Sequence, residues 1–269
     1  MKKEIFVRPF VDQFGCIDKI VGRDGGDCCH RDFMYSFLIG AMRFMGLAGV
    51  ADWPMNGISD LYFWNNQHHP SHGILIRHPD PDRDASDWDR GSRDQHIPFV
   101  VALSIWGWRE TLWSHFKGHA KRFFWFHNTR ENGTNKRNHG QKKPHSQEKF
   151  DYSPRTPDIS DPEFFGFYIR GFRLWFLWPV LFFIDLWTLG GSIIKWWKGP
   201  KDNIVFNHEI AVIHSRLVMP TGIGWLCHQI FTPKMALERM TDHLDDFGDR
   251  TNVDLFFVDM FEEVYAGLK

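Results

Sequence analysis

A chain of 269 residues is long enough to bury a sizeable core, and its 32 Lys and Arg against 33 Asp and Glu leave a formal net charge of −1. That balance excludes a molecule-wide electrostatic footprint for nucleic acid, so no nucleic-acid partner is expected. With 13 Trp and 26 Phe, aromatics reach 16% of the chain, more than a plain soluble core requires, which suits stacking on sugar rings or seating at a membrane interface.

In chain order, residues 4–20 suggest short extended pieces around a turn. The stretch Arg23-Asp24-Gly25-Gly26-Asp27-Cys28-Cys29-His30-Arg31 then gathers carboxylates and basic groups around two glycines, just before an apolar segment. Its structural reading is a helix start with Asp27 as cap, and its functional reading is a site. From His30 to Ala48 the apolar residues Phe33, Met34, Phe37, Leu38, Ala41, Met42 and Met45 recur at three and four, which predicts an amphipathic helix facing a core. Residues 53–91 are rich in Pro, Asp, His, Asn and Gly and long for a connection, as functional loops are. Ser92-Arg93-Asp94-Gln95 forms a capping box and predicts a helix running to about Trp113.

Residues 117–150 are basic and polar and read as a solvated loop. Ser160-Asp161-Pro162-Glu163 repeats the start signal, with Pro in the first turn, ahead of a long helix or helix pair reaching Trp197. Within it, 174–194 carries one charge, Asp185, between basic flanks. It is expected to be a helix buried on all sides, with a membrane segment as the alternative. A further helix over 203–218 sets Asn203, Asn207, Ile210 and His214 on one line, and an amphipathic helix over 253–266 closes the series, with Glu262 and Glu263 outward.

The four cysteines, Cys16, Cys28, Cys29 and Cys227, make no Cys-x-x-Cys pair, and Met1-Lys2-Lys3-Glu4 lacks the apolar stretch of a signal peptide, so a reducing, cytoplasmic setting is expected. No P-loop, dinucleotide fingerprint or Gly-x-Ser-x-Gly elbow appears, which argues against nucleotide chemistry and the common serine hydrolases. The expected fold is mainly α: a single domain over 1–269, as a helical bundle or incomplete α/α toroid with long polar loops and a short extended N-terminal segment.

Three segments share one pattern, in which a loop rich in Asp, Arg and His delivers charge to the start of an apolar helix: residues 24–31, 77–95 and 156–163. If those starts meet at one end of a bundle, the charges converge. Cleaving a glycoside needs a protonated carboxyl at the leaving oxygen and a second carboxylate to activate water or attack the sugar. Asp24, Asp27, Asp94 and Glu163 form the available pool, with Asp94 as base beside Arg93, and Asp24 or Asp27 as acid. An eliminating enzyme would instead use His78 or His214 as base, and Arg31, Arg77 or Arg93 against a substrate carboxylate. Gln95, Asn207 and His214 complete the expected substrate contacts.

Asp24-Gly25-Gly26-Asp27, the helix start at Ser92-Arg93-Asp94-Gln95 and the many Trp residues together resemble the α/α-toroid carbohydrate-active enzymes, the glycoside hydrolases and polysaccharide lyases built from antiparallel helix pairs. The resemblance implies a carbohydrate polymer as partner and carboxylate acid/base cleavage in an aromatic-lined cleft. A membrane-associated protein anchored through 174–194, and a non-catalytic glycan-binding or structural protein, are the alternatives. No cofactor is expected. The loop carrying His68, His69, His72, His78, Asp80, Asp82 and Asp84 offers ligands for Ca²⁺ or Zn²⁺ as the alternative, at a spacing that matches no familiar frame.

Overall fold

The computed structural model describes residues 11, 15–17, 28–47, 75, 93–130, 161–198, 204–224, 226 and 252–268. Among the described residues 82% are helical and none lies in a strand, so the fold is mainly α. The described residues form seven α-helices: α1 (Cys28–Phe44), α2 (Arg93–Trp106), α3 (Arg109–Arg130), α4 (Pro162–Gly171), α5 (Trp178–Lys198), α6 (Ile204–Leu217) and α7 (Asn252–Leu268). A 3-10 turn, Trp175–Leu177, leads into α5. Val11 and Ile17 form an isolated antiparallel bridge, with Gly15 at φ 83° between them.

The hub is α2. Every residue from Gln95 to Ile105 is buried, and the helix packs against α1, α3, α4 and α6. Its sequence explains this, because Ile97, Phe99, Val100, Val101, Ala102 and Leu103 follow one another without a polar face. Phe33 of α1 packs against Phe99 with the rings tilted at 46° and 4.5 Å between centroids, and seven residues further along each helix Gly40 lies under Trp106. The Trp106 indole N–H donates to the Ser36 carbonyl at 2.9 Å. These matched contacts make α1 and α2 parallel. The same holds for α4, since Phe164 sits beside His96 and Gly171 beside Ser104. In contrast α3 runs back along them, with Leu112 against Gly171, His115 against Tyr168 and His119 against Phe164.

The turns follow from local chemistry. At the end of α1 the Leu47 N–H donates to the Met42 carbonyl at 2.8 Å and the Gly46 N–H to Arg43 at 2.9 Å, the paired bonds of a Schellman stop, with Gly46 at φ 73°. Gly107 at φ 78° ends α2 in the same way, so the helix expected to reach Trp113 breaks at Trp106 and the chain reverses into α3. That second helix continues to Arg130, so the first part of the segment read as a basic loop over 117–150 is helical, and 131–150 lies outside the described residues. Asp161 caps α4 as its sequence predicts: its carboxylate accepts from the Phe164 N–H at 3.1 Å, with Pro162 in the first turn.

The apolar stretch 174–194 is not the buried centre that its composition suggests. It packs α5 back along α4 and against α6 through Leu181, Ile184 and Leu189, while its outward face is bare, with Phe176 at 77% and Trp187 at 71% exposure. Among the described residues no helix is long and apolar enough to cross a membrane. The interruption at Asp185 is instead a buried ionic contact: both carboxylate oxygens accept from the Arg170 guanidinium, and the Thr221 hydroxyl donates to one of them. A continuous core gathers side chains from α1, α2, α4, α6 and α7, together with Leu112 at the start of α3.

Candidate metal centre

His115 and His119 stand four residues apart on α3, so both rings leave one side of that helix. Because α3 runs back along α2, this side faces the first turn of α2 and meets His96. All three histidines are completely buried. Their ring nitrogens converge: His96 Nδ1 lies 2.9 Å from His115 Nε2 and 3.3 Å from His119 Nε2. One nitrogen from each ring falls within 4.8 Å of the other two, the condition for a shared metal ion. Two imidazoles bound tetrahedrally to zinc at the usual bond length hold their nitrogens about 3.3 Å apart. The observed spacings are therefore ligand-like, the shorter one needing to open by a few tenths of an ångström.

Aromatic rings enclose the cluster. Phe164 lies edge-on to His96, His115 and His119 at centroid separations of 6.5, 6.1 and 5.0 Å, and Phe99 lies edge-on to His115 at 5.1 Å. Behind His115, the Tyr168 hydroxyl is 2.6 Å from Nδ1. Burial pushes the Tyr168 phenol well above its ordinary value, so it remains a neutral hydroxyl. Burial, reinforced by the His119 and His96 rings, holds His115 well below the usual imidazole range. His115 is thus neutral at physiological pH, the form that ligates a metal.

The hydroxyl also fixes the tautomer. When Tyr168 donates to Nδ1, His115 carries its proton on Nε2 and donates it to His96, which gives a hydrogen-bonded chain without a metal. When Tyr168 accepts from Nδ1–H, the Nε2 lone pair is released toward the point where the rings meet. Passing between the two states requires the ring to lose a proton at Nε2 and gain one at Nδ1, while the Tyr168 hydroxyl turns from donor to acceptor.

The residues singled out in the sequence are distributed as follows. Asp24, Asp27, Arg77 and His78 lie outside the described residues, as do the side chains of Arg93, Asp94 and Asn207 and the whole of the His68–Asp84 group. Arg31 is half-buried near the start of α1, and Glu163 is buried in the first turn of α4. Gln95 is fully buried on α2. His214 is also fully buried, beside Phe167 at 5.2 Å between centroids, and among the described residues neither of its ring nitrogens has a hydrogen-bond partner. Since α1, α2 and α4 are parallel, their first turns share one end, and the His96 cluster lies at that end of α2 and α4.

Sequence reading missed the histidine cluster. The His115-x-x-x-His119 spacing on a helix was a legible sign of a two-nitrogen pincer. The third ligand was not legible, because only the turn at Gly107 brings His96 to it. Comparison with known protein families, with curated proteins and with solved structures finds no match for this chain.

Proposed function

We propose that this is a metal-binding protein in which His96, His115 and His119 hold a divalent transition ion, zinc above all, that ties the start of α2 to α3. The observation that carries this reading is the convergence of three fully buried imidazole nitrogens, with a neutral Tyr168 behind one of them. Nitrogen ligands of this kind suit zinc, and the aromatic enclosure keeps bulk water from competing. Three protein ligands leave one coordination position for water or a substrate oxygen, and a bound ion would there supply Lewis-acid character.

Metal content and thermal unfolding of the purified chain test it. Zinc at a hundredfold excess over its dissociation constant raises stability by about 2.7 kcal/mol, read as a higher Tm that a chelator reverses. His119→Gln should abolish the zinc-dependent part of Tm. Tyr168→Phe should weaken zinc binding about 10- to 100-fold while leaving the ligands in place. A wild-type Tm indifferent to zinc and chelator, with no metal in the isolated protein, refutes the reading and leaves the cluster as a hydrogen-bonded chain.

The carbohydrate-active reading stands beside it, supported by the parallel packing of α1, α2 and α4, which brings the first turns of three helices to one end. The pairing of α5 back along α4 also suits a toroid built from antiparallel pairs. On this reading Asp94 is the base, Asp24 or Asp27 the acid, and the substrate a polysaccharide. Asp94→Asn should abolish turnover on a polysaccharide panel, and a panel that is neither cut nor bound removes this reading.

A further inference from the structure

The bare face of α5 needs an occupant. From the 3-10 turn to Ile194, nine large apolar side chains among the described residues are 37–77% exposed, Phe176, Val180, Phe183, Trp187 and Ile194 forming one row. The row follows helical spacing and extends about 30 Å at 1.5 Å per residue. At about 200 Å² for each large side chain, the bare area is on the order of 1,000 Å², well beyond the few hundred that a soluble monomer typically leaves open.

Charge narrows the choice of occupant. Between Arg173 and Lys198 the only acidic residue is Asp185, and it is turned inward, buried against Arg170. The basic residues stand at the two ends, Arg173 exposed before the 3-10 turn and Lys195 and Lys198 in the last turns of α5. A second copy of the chain laid antiparallel on this face would bring the end of the segment that carries Arg173 to the end whose sequence carries Lys195 and Lys198. Laid parallel, it would set like against like, and no carboxylate on the face relieves either arrangement. Aromatic side chains in the middle with basic groups at the ends are what the boundary of an anionic bilayer accepts, the rings among acyl chains and the cations at the headgroups.

We propose that the outward face of α5 docks this protein in the plane of an anionic lipid surface, lying on the bilayer without crossing it. The helix enters headgroup depth side-on, with Phe183 and Trp187 as its main anchors. The ion pair of Asp185 with Arg170 keeps the remaining charge on the protein side.

Flotation of the full chain with vesicles of phosphatidylcholine, with or without about one third phosphatidylserine, tests this, since the basic ends require the anionic lipid. The expected result is binding to the mixed vesicles that weakens with added salt, with a blue shift of tryptophan emission. Phe183→Gln and Trp187→Gln each alter an exposed side chain, so helix content by circular dichroism should not change, while vesicle affinity falls about tenfold or more per substitution. No binding to mixed vesicles overturns the proposal, as does equal binding by the double variant. A concentration-dependent dimer that Trp187→Gln abolishes, without vesicle binding, also overturns it in favour of a second copy. None of these outcomes depends on the histidine cluster, so the metal reading stands or falls separately.

Discussion

Asp185 shows how one polar residue is kept inside an apolar helix. Its carboxylate is buried, and its two oxygens accept from Arg170 while one also accepts from Thr221. Removing one member strands the other charge away from water, which typically costs about 3–5 kcal/mol, whereas replacing both by apolar residues of similar size is often near neutral. Asp185→Ala should therefore lower the urea midpoint strongly, and the double change Asp185→Leu with Arg170→Met should recover most of the loss. In the sequence, Asp185 reads as an interruption of the run and Arg170 as its basic flank. Their partnership became visible only once the chain reversed between α4 and α5. His96 was hidden for the same reason, while the four-residue spacing of His115 and His119 was present in the sequence but passed over, because the segment from 117 on reads as a loop.

At the scale of the element, helix bodies were legible and some of their ends were not. The three-and-four spacing of Phe33, Met34, Phe37, Leu38, Ala41 and Met42 placed α1, although burial runs round every side of it from Asp32 to Met42 and not along one face, and Asp161 with Pro162 placed the start of α4. The end of α4 carried no signal, because its left-handed stop is Arg173 at φ 55°, where glycine would ordinarily mark the position. The outward turn of α5 was illegible for a different reason. Composition states how apolar a helix is, and neighbours decide how much of it is covered. Gly40 matters as a close approach: a Cβ there would stand 2.6 Å from the Trp106 indole nitrogen, whose ring is held by its bond to Ser36. Alanine favours a helix by up to about 1 kcal/mol over glycine, but overpacking a tight crossing costs about 1–3 kcal/mol, so the clash wins. Gly40→Ala should lower Tm, and the same substitution with Trp106→Leu should lose less than the two single effects combined.

For the whole molecule, the buried histidines set a pH dependence. His115 and His214 are both held well below the usual imidazole range, first by burial; the His119 and His96 rings add to this at His115, and the Arg170 charge adds to it at His214. The unfolded chain takes up protons near pH 6.5 that the folded chain refuses, so stability is full above that value and falls as pH drops below it. Each group contributes on the order of 1 kcal/mol per pH unit until its folded-state value is reached. Denaturant midpoints should be flat from pH 7 to 8 and fall from 6.5 to 5.5. His214→Leu should reduce that slope and, by removing a buried ring without hydrogen-bond partners, should not itself destabilise the protein at pH 7.5. A profile that is flat down to pH 5.5 would contradict neutral burial. The mainly α class was legible in the sequence, whereas the hub was not, since α2 read only as a capping box before an apolar run and the more continuous apolar stretch at 174–194 drew the expectation of a central helix.

The parallel setting of α1 against α2, and the packing of α1 against α7 through Phe37 and Phe261, have a consequence for how the chain reaches this state. Parallel neighbours cannot be joined by a tight turn, so their contacts link residues far apart in sequence, and such contacts form slowly because wide loops must close first. During synthesis α1 emerges early, with Phe37 and its neighbours uncovered, and its last partner is made only when the ribosome reaches α7. Folding is therefore expected to be committed late, with the apolar side chains of α1 open to aggregation in the interval before α7 is made.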